Sequence, residues 1–441
     1  MRVHLILHLV LLIFVCSCAK ESVDIPNKPK DTSIDTVSSA LETNVDSSFS
    51  RLLSPEISPQ EMTEGVEIIN RVGMNLYQQL AVSPSHLDKN IAFSPVAVTI
   101  PWAIFYEATQ GDTQQQIGDI LQFTLPKETM HAVFNALDLD LLNSAENSLN
   151  VDYELNHSLW IQNGYLVQQN FFDTMITHYE MGMQLVDFAG RAGLSRTIMN
   201  KWGDRVSRQL LPDLIPKGFI TPDTRFIQLS VLYFDAQWEQ EFSPSDTSAK
   251  PFYKLDGSEI MADTMFVSYP YYFVDGVNYN AIEMFLFDQQ FSMWFIVPDE
   301  GAFTSVEKTL DLAMISLMKT EKVPQGVNLS LPKFSFRRDY DLKELLIETG
   351  LVLPFSPSLA DFSAMSTTQG SGNLFVNSQG HVMSIDVNET GVTAVAATRT
   401  GIIETAASTV DLNINRPFIF FIEDHKQQSI LFMGRVLDPA A

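Results

Sequence analysis

The side chains able to do bond chemistry are few in this chain and far apart. Its eight histidines are scattered along the sequence. No Gly-x-Ser-x-Gly turn presents a serine nucleophile, and no His-Glu-x-x-His pair puts two imidazoles on one helix face. No Gly-x-x-x-x-Gly-Lys loop or dinucleotide fingerprint offers backbone amides to a phosphate. Both cysteines, Cys16 and Cys18, fall at the start of the chain. The rest of it therefore has no disulfide, no thiol nucleophile and no cysteine metal site. His381 is the histidine to weigh. Taken alone, it reads as a hydrogen-bonded core residue before it reads as a base. These residues argue against an enzyme and call for neither cofactor nor metal.

The chemistry that the sequence does offer is that of a segment which can be cut and can become a strand. Asn388 to Thr400 reads Asn-Glu-Thr-Gly-Val-Thr-Ala-Val-Ala-Ala-Thr-Arg-Thr. With period two from Gly391, one face carries Val392, Ala394, Ala396, Thr398, Thr400 and Ile402. The other carries Thr393, Val395, Ala397, Arg399, Gly401 and Ile403, and Arg399 is the only charge on either. A face made only of small and β-branched side chains suits a strand that slides between two neighbours and buries that face. The segment is bounded by Gly391 and runs out into Glu404-Thr-Ala-Ala-Ser408, which is loop-like. A strand-competent loop with a glycine hinge can act as bait that later inserts into a sheet. By itself the same pattern also fits an alanine-rich surface strand.

The elements that must position this segment follow from periodicity. Ile69, Val72, Leu76 and Leu80 have helical spacing. Ser94-Pro95 is a helix start, with serine as cap and proline in the first turn. Pro101 is expected to kink that helix or cut it short. Strands are expected at Phe226–Phe234, Ala281–Leu286, Phe291–Val297, Asn328–Phe336 and Ile419–Ile422, and a helix at Leu342–Gly350. Helices and strands mix without regular βαβ alternation, so the fold class is α+β.

Motifs along the chain carry a resemblance. Glu389-Thr-Gly-Val-Thr-Ala-Val-Ala-Ala-Thr398 is similar to the hinge of the serpins, the serine-protease inhibitor family. In order and at family spacing come Asn90-Ile-Ala-Phe-Ser-Pro95, Gly111-Asp-Thr113, Asn200-Lys-Trp202 and Leu232-Tyr-Phe-Asp-Ala-Gln-Trp238. Phe291-Ser-Met-Trp-Phe-Ile-Val-Pro298, Leu331-Pro-Lys-Phe334, Ala360-Asp-Phe-Ser363 and Leu431-Phe-Met-Gly-Arg-Val-Leu-Asp-Pro439 follow. The resemblance covers about Thr63 to Pro439.

It implies a large mixed sheet with surrounding helices, further sheets and an exposed reactive loop at about 389–413. It also implies a monomer that inhibits proteases as a suicide substrate. The hinge would be Glu389, Gly391, Val392, Thr393, Ala394, Ala396, Ala397 and Thr398, with Val392 the first side chain to turn from solvent into the sheet. Ser94, Ser230, Trp238, Lys333 and His381 would lie where the sheet opens, and Glu389 would pair with Lys333. The family usually has asparagine where this chain has Ser230, and a second serine where it has Ala97. Spacing from Gly391 puts the scissile bond at Thr405-Ala406, and counting back from Pro417 puts it at Ala406-Ala407. Small residues there suit serine proteases with small or aliphatic first pockets, or a cysteine protease of loose specificity. Non-inhibitory members tend to carry bulky, charged or proline residues in the hinge. This chain has none from Gly391 to Thr398, which favours inhibition over a serpin-shaped binding protein.

Composition bounds the partners. The hydrophobic fraction of 45% is ample for a large core, and the formal charge of -25 argues against nucleic acid and anionic lipid. Residues 1–17 read as a signal peptide, with Arg2 followed by an apolar run from Leu5 to Val15. Val15-Cys-Ser-Cys18 is similar to a bacterial lipobox, which makes Cys18 the lipid attachment point and the cell envelope or surface the expected location. A plain secretory signal is the alternative. Residues 18–62, rich in Ser, Thr, Asp, Glu and Pro, read as a flexible tether, and 63–441 as the domain. Two further readings stand beside inhibition: a lipid-anchored hydrolase with an unrecognised Ser/His/Asp set, and a nutrient-binding surface lipoprotein.

Overall fold

The computed structural model describes residues 43–44, 50–148, 150–366, 374–392 and 409–441. In chain order the elements begin with β1 (Thr43–Asn44), α1 (Pro59–Val82), β2 (Ile91–Phe93), α2 (Pro95–Ala108), α3 (Gly111–Leu121) and α4 (Lys127–Glu146). Then come β3 (Val151–Gln162), α5 (Gln169–Tyr179), β4 (Gly182–Val186), α6 (Phe188–Val206, kinked at Arg191) and β5 (Phe226–Gln237). A strand-rich stretch follows: β6 (Ser248–Tyr253), β7 (Glu259–Gly276), β8 (Tyr279–Phe285) and β9 (Phe291–Pro298). Two short helices, α7 (Phe303–Thr309) and α8 (Leu312–Glu321), precede β10 (Val323–Pro332), β11 (Phe334–Asp341) and α9 (Lys343–Glu348). The chain closes with β12 (Gly380–Val387), β13 (Gly391–Val392), β14 (Val410–Asn413), β15 (Phe418–Asp424) and β16 (Ile430–Val436).

The strands form two sheets, one of seven in the order β1-β4-β3-β5-β13-β12-β11 and one of nine, β14-β10-β7-β8-β9-β15-β16-β2, with β6 on β7. This is the expected α+β class, a large mixed central sheet with a second sheet and helices around it. The core lies between the sheets. Phe334 of the first packs 5.6 Å and 5.7 Å, ring to ring, from Phe418 and Phe420 of the second. All seven residues of β15 and of β16 are buried. Such strands have no outward face, which is why each opens on an unbroken apolar run, Phe418–Ile422 and Ile430–Met433.

Several local signals hold. Ile69, Val72, Leu76 and Leu80 are buried along α1. Ser94 caps α2, its hydroxyl accepting from the Ala97 amide at 3.1 Å. Other expectations need correction. Pro101 does not end α2, which runs on to Ala108. Pro101, Trp102, Ala103, Ile104 and Ala108 are buried against the core, so packing outweighs the lost backbone bond. The single strand expected at Asn328–Phe336 is two strands in different sheets. Pro332 is the last residue of β10, and the chain crosses to β11 at Lys333.

The boundary set at residue 62 is also too late. A capping box, in which Ser58 and Glu61 exchange hydrogen bonds at 3.2 and 2.7 Å, starts α1 at Pro59. Ahead of it, Arg51 is in a buried ion pair with Asp138, and the Leu52 amide donates to the Thr177 carbonyl at 2.9 Å. Thr43 and Asn44 pair with Leu185 and Gln184 of β4. Capping boxes are built from the Ser, Pro and Glu that also make up tethers, so composition alone hid the start of the domain.

Candidate functional site

The site is built around two residues of sequence. β5 and β12 are parallel to each other, and among the described residues the only strand between them is β13. Gly391 pairs with Gln237 and Val392 with Ala236 on one side, and Val392 pairs with Val387 on the other. Val392 is 5% exposed. The expectation that it waits in solvent until the sheet opens is therefore wrong: the first step into the sheet is already taken. A tight hairpin makes this possible. The Asn388 amide donates to the Gly391 carbonyl at 3.1 Å, and the Asn388 side-chain oxygen accepts from the Thr390 amide at 3.0 Å and hydroxyl at 2.8 Å. Gly391 has no alternative residue. A Cβ there would sit 2.2 Å from the Ala236 carbonyl oxygen and 2.6 Å from the Gln237 Cα.

Around the hairpin the top of the sheet is tied down. Lys333 Nζ lies 3.0 Å from Glu389 Oε2, and the Thr247 hydroxyl donates to Glu389 Oε1 at 2.8 Å. Burial would raise the Glu389 carboxyl. Hydrogen bonds from Lys333, its own backbone and Thr247 outweigh that and hold it below the usual value. Trp238, 1% exposed, donates its indole N–H to the Asn388 carbonyl at 3.0 Å and its amide to the Thr390 carbonyl at 2.9 Å. The Phe242 amide donates to the Glu389 carbonyl at 2.9 Å. Every bond holding the hinge thus comes from β5 and the segment after it, from Lys333 between the two sheets, or from the hairpin itself.

Below Val392 no described strand separates β5 from β12. A cavity of about 50 Å³ lies there. Leu232 and Phe234 line one lip, Met383 and Ile385 the other, with Ile422 and Phe432 of the second sheet beneath. On the outer face, Val206 and Leu211 pack on Val231 of β5 and on Val382 of β12. Arg208 holds this segment to Asp152 and Glu154 on β3, and Arg337 of β11 donates to the Pro212 carbonyl at 3.0 Å. The stretch after α6 therefore brackets the slot from both sides.

At the foot, the Ser94 amide donates to His381 Nε2 at 3.3 Å, so that nitrogen carries no proton. Burial pushes the His381 imidazole down to about 4. Ser230 is not brought to His381. It sits opposite His157 on β3, with its hydroxyl 2.6 Å from His157 Nδ1, and accepts from Gln228 at 2.7 Å. Burial, and then the nearby Arg51 cation, depress His157 to about 3. Thr393, Ala394, Ala396, Ala397, Thr398, Thr405, Ala406 and Cys18 lie outside the described residues. Thr247, the Asn388 turn and the Ser207–Leu211 bracket were not foreseen. Only the turn had a sequence signal, in Asn388 and Gly391 flanking two polar residues.

One cluster has the makings of a metal site. Glu283, Glu423 and His425 offer ligand atoms within 4.8 Å of one another. Lys322 sits 2.5 Å from Glu283, and Lys319 pairs with Glu423, so two ammonium groups already balance the two carboxylates.

Comparison with known proteins agrees with this geometry. Residues 67–439 match the model of the family described as "Serpin (serine protease inhibitor)". An uncharacterised serpin-like protein of Methanosarcina acetivorans is 31% identical over 377 residues, covering 84% of this chain and 87% of that protein. Plasminogen activator inhibitor 1 of Bos taurus is 28% identical, covering 87% of this chain and 94% of its own. Tengpin, a thermophilic serpin solved in its native state, superposes with a TM-score of 0.78 at 20% identity, over 90% of this chain and 100% of its own. Human thyroxine-binding globulin complexed with its hormone gives 0.77 at 23%, over 86% and 100%. The family match spans most of the sequence, and both sheets follow the architecture of solved members: the chain belongs to the serpin family.

Proposed function

We propose that this protein inhibits proteases by being cut and then closing its central sheet around the cut strand. The observation that carries the reading is the register of β13. Gly391 and Val392 already lie between β5 and β12, paired to Gln237, Ala236 and Val387. Continued two residues at a time, that register sets Ala394 between Phe234 and Ile385, Ala396 between Leu232 and Met383, and Thr398 between Ser230 and His381. The small face of the segment would then enter the core, and Arg399 would fall on the outer face.

The target enzyme forms an acyl-enzyme at the scissile residue, Thr405 or Ala406, and cleavage frees the strand to insert. Up to Ile402, opposite Phe226, about ten further residues would pair, at a net ~1 kcal/mol per backbone bond. The resulting ~10 kcal/mol is comparable with the ~5–15 kcal/mol stability of a protease domain, enough to distort an enzyme dragged along. The inhibitor supplies no acid, base or metal. Small residues at the cut favour elastase-like serine proteases or a permissive cysteine protease. Cleavage at Arg399 leaves too short a strand, so trypsin-like enzymes should destroy the inhibitor. We also propose lipid anchoring at Cys18, from the Val15–Cys18 pattern; radiolabelled palmitate that still enters a Cys18→Ser variant would refute it.

The deciding experiment mixes the chain, without its leader, with elastase-like, subtilisin-like and papain-like proteases. A complex that survives denaturing electrophoresis, with a released peptide starting at Ala406 or Ala407, supports trapping. Clean cleavage with no complex and no rise in melting temperature would sink both trapping and insertion.

A further inference from the structure

Among the described residues every methionine is buried except Met261, Met314 and Met383. Met261, 58% exposed, is on β7 and Met314 on α8, and neither lines the slot. Met383 is in the slot itself. On β12 it shares a face with His381, Ile385 and Val387, which are all buried, yet it is only half-buried. The other lip shows the same break: on β5, Phe234 and Ala236 are buried and Leu232 is half-buried. Met383 and Leu232 line one cavity, whose wall includes Leu210, 40% exposed, on the outer side and Ile422 and Phe432 on the inner side. The Met383 sulfur therefore sits at a level of the sheet where the apolar face is uncovered. A thioether packs in a core as leucine does, but an oxidant turns it into a polar sulfoxide.

We infer that Met383 is an oxidation site through which hydroperoxides switch off closure of the central sheet. In that step the Met383 sulfur attacks one peroxide oxygen. An S–O bond forms and the O–O bond breaks. The attacked oxygen passes its proton to the departing one, which leaves as water or an alcohol. The sulfur is oxidised to the sulfoxide and the peroxide is reduced. The new oxygen is an acceptor that needs a donor. Leu232, Ile422 and Phe432 offer none. Arg338, opposite Met383 on β11, gives its Nε to the Asn90 carbonyl at 2.8 Å and its Nη1 to the Arg337 carbonyl at 2.9 Å. While the slot is open, solvent supplies the bond and the uncut fold is spared. A strand closing over Met383 would shut solvent out and leave the acceptor buried without a partner. Insertion then slows, release of the protease wins the race, and the inhibitor is consumed as a substrate. Reduction of the sulfoxide restores the thioether, so the switch is reversible.

This inference rests on the insertion reading. The test uses the full chain and its Met383→Leu and Met261→Leu variants, each compared with itself before and after hydrogen peroxide. Peptide masses report which methionines gain an oxygen, and denaturing gels report the inhibitor consumed per protease trapped. Peroxide should raise that ratio at least ~10-fold in the parent and in Met261→Leu, and less than ~2-fold in Met383→Leu. Methionine sulfoxide reductases should restore the parent. Met383 left without oxygen while Met261 is oxidised would overturn the switch. So would an unchanged ratio with Met383 oxidised, or an equal rise in Met383→Leu. If Met383→Leu does not fold, a peroxide dose series decides: loss of trapping must follow the oxygen at Met383, not that at Met261 or Met314. An unoxidised parent that traps nothing and gains no heat resistance when cut ends the insertion reading, and the switch with it. One that traps and is indifferent to peroxide loses only the switch.

Discussion

The two sheets of this molecule are built from similar residues and behave differently. In the second sheet, β15 is paired along its whole length, to β9 from Ile419 to Asp424 and to β16 from Phe418 to Glu423. In the first, the strand in the corresponding central place, β13, is described over two residues, Gly391 and Val392. Trp294, Phe420 and Phe421 close one sheet permanently, whereas Leu232, Phe234, Met383 and Ile385 wait on either side of a space that no described strand fills. Strand composition does not separate these cases. What separates them is whether each lip has a partner, and the top of the slot shows that seating a partner needs little sequence: one glycine that approaches a backbone and one valine without charge.

That contrast can be broken in graded ways. The largest effect is expected from Val392→Glu, which asks a buried position for a charge. Desolvation costs several kcal/mol, roughly a thousandfold in the seating of the hinge. The measurement is the fraction of protease trapped against inhibitor cleaved, and unchanged trapping would refute the seated hinge. Next, Phe420→Ala should cost ~3–5 kcal/mol, by the same amount before and after loop cleavage, because the second sheet does not change. Denaturant melts of both forms check this, and a cost confined to one form would show that the sheets are coupled.

Acid should act on the first sheet. His381 on β12 and His157 on β3 are held neutral by burial, at about 4 and about 3. The unfolded chain binds those protons from about pH 6.5 downward. Stability is therefore complete above that pH and declines as the pH falls toward 4, by on the order of 3 kcal/mol for His381 alone. His381→Gln should flatten part of that fall in a pH series of thermal melts. The smallest effect belongs to Lys333→Ala. Lys333 is about one-third exposed beside Glu389, so stability should change by less than ~1 kcal/mol. A change in the insertion rate after cleavage, with little change in melting temperature, would place the pair at the gate.

Much of this was legible because it is local. The cap at Ser94, the spacing along α1 and the alternation after Gly391 depend on neighbours within a few residues. The start of the domain was not legible, since the Ser58–Glu61 box looks like linker composition. Nor was the break at Lys333: an apolar run says that a strand is buried, not which sheet buries it.

Side-chain size and short spacing are enough to read a small-residue strand behind a glycine hinge, and the lack of a catalytic motif, from the residues alone. Long-range packing is what seats Val392, turns Ser230 to His157 instead of His381, and ties Arg51 into the domain. Each of those depends on partners tens to hundreds of residues away. The register of whole strands chooses such partners, and no local pattern encodes it.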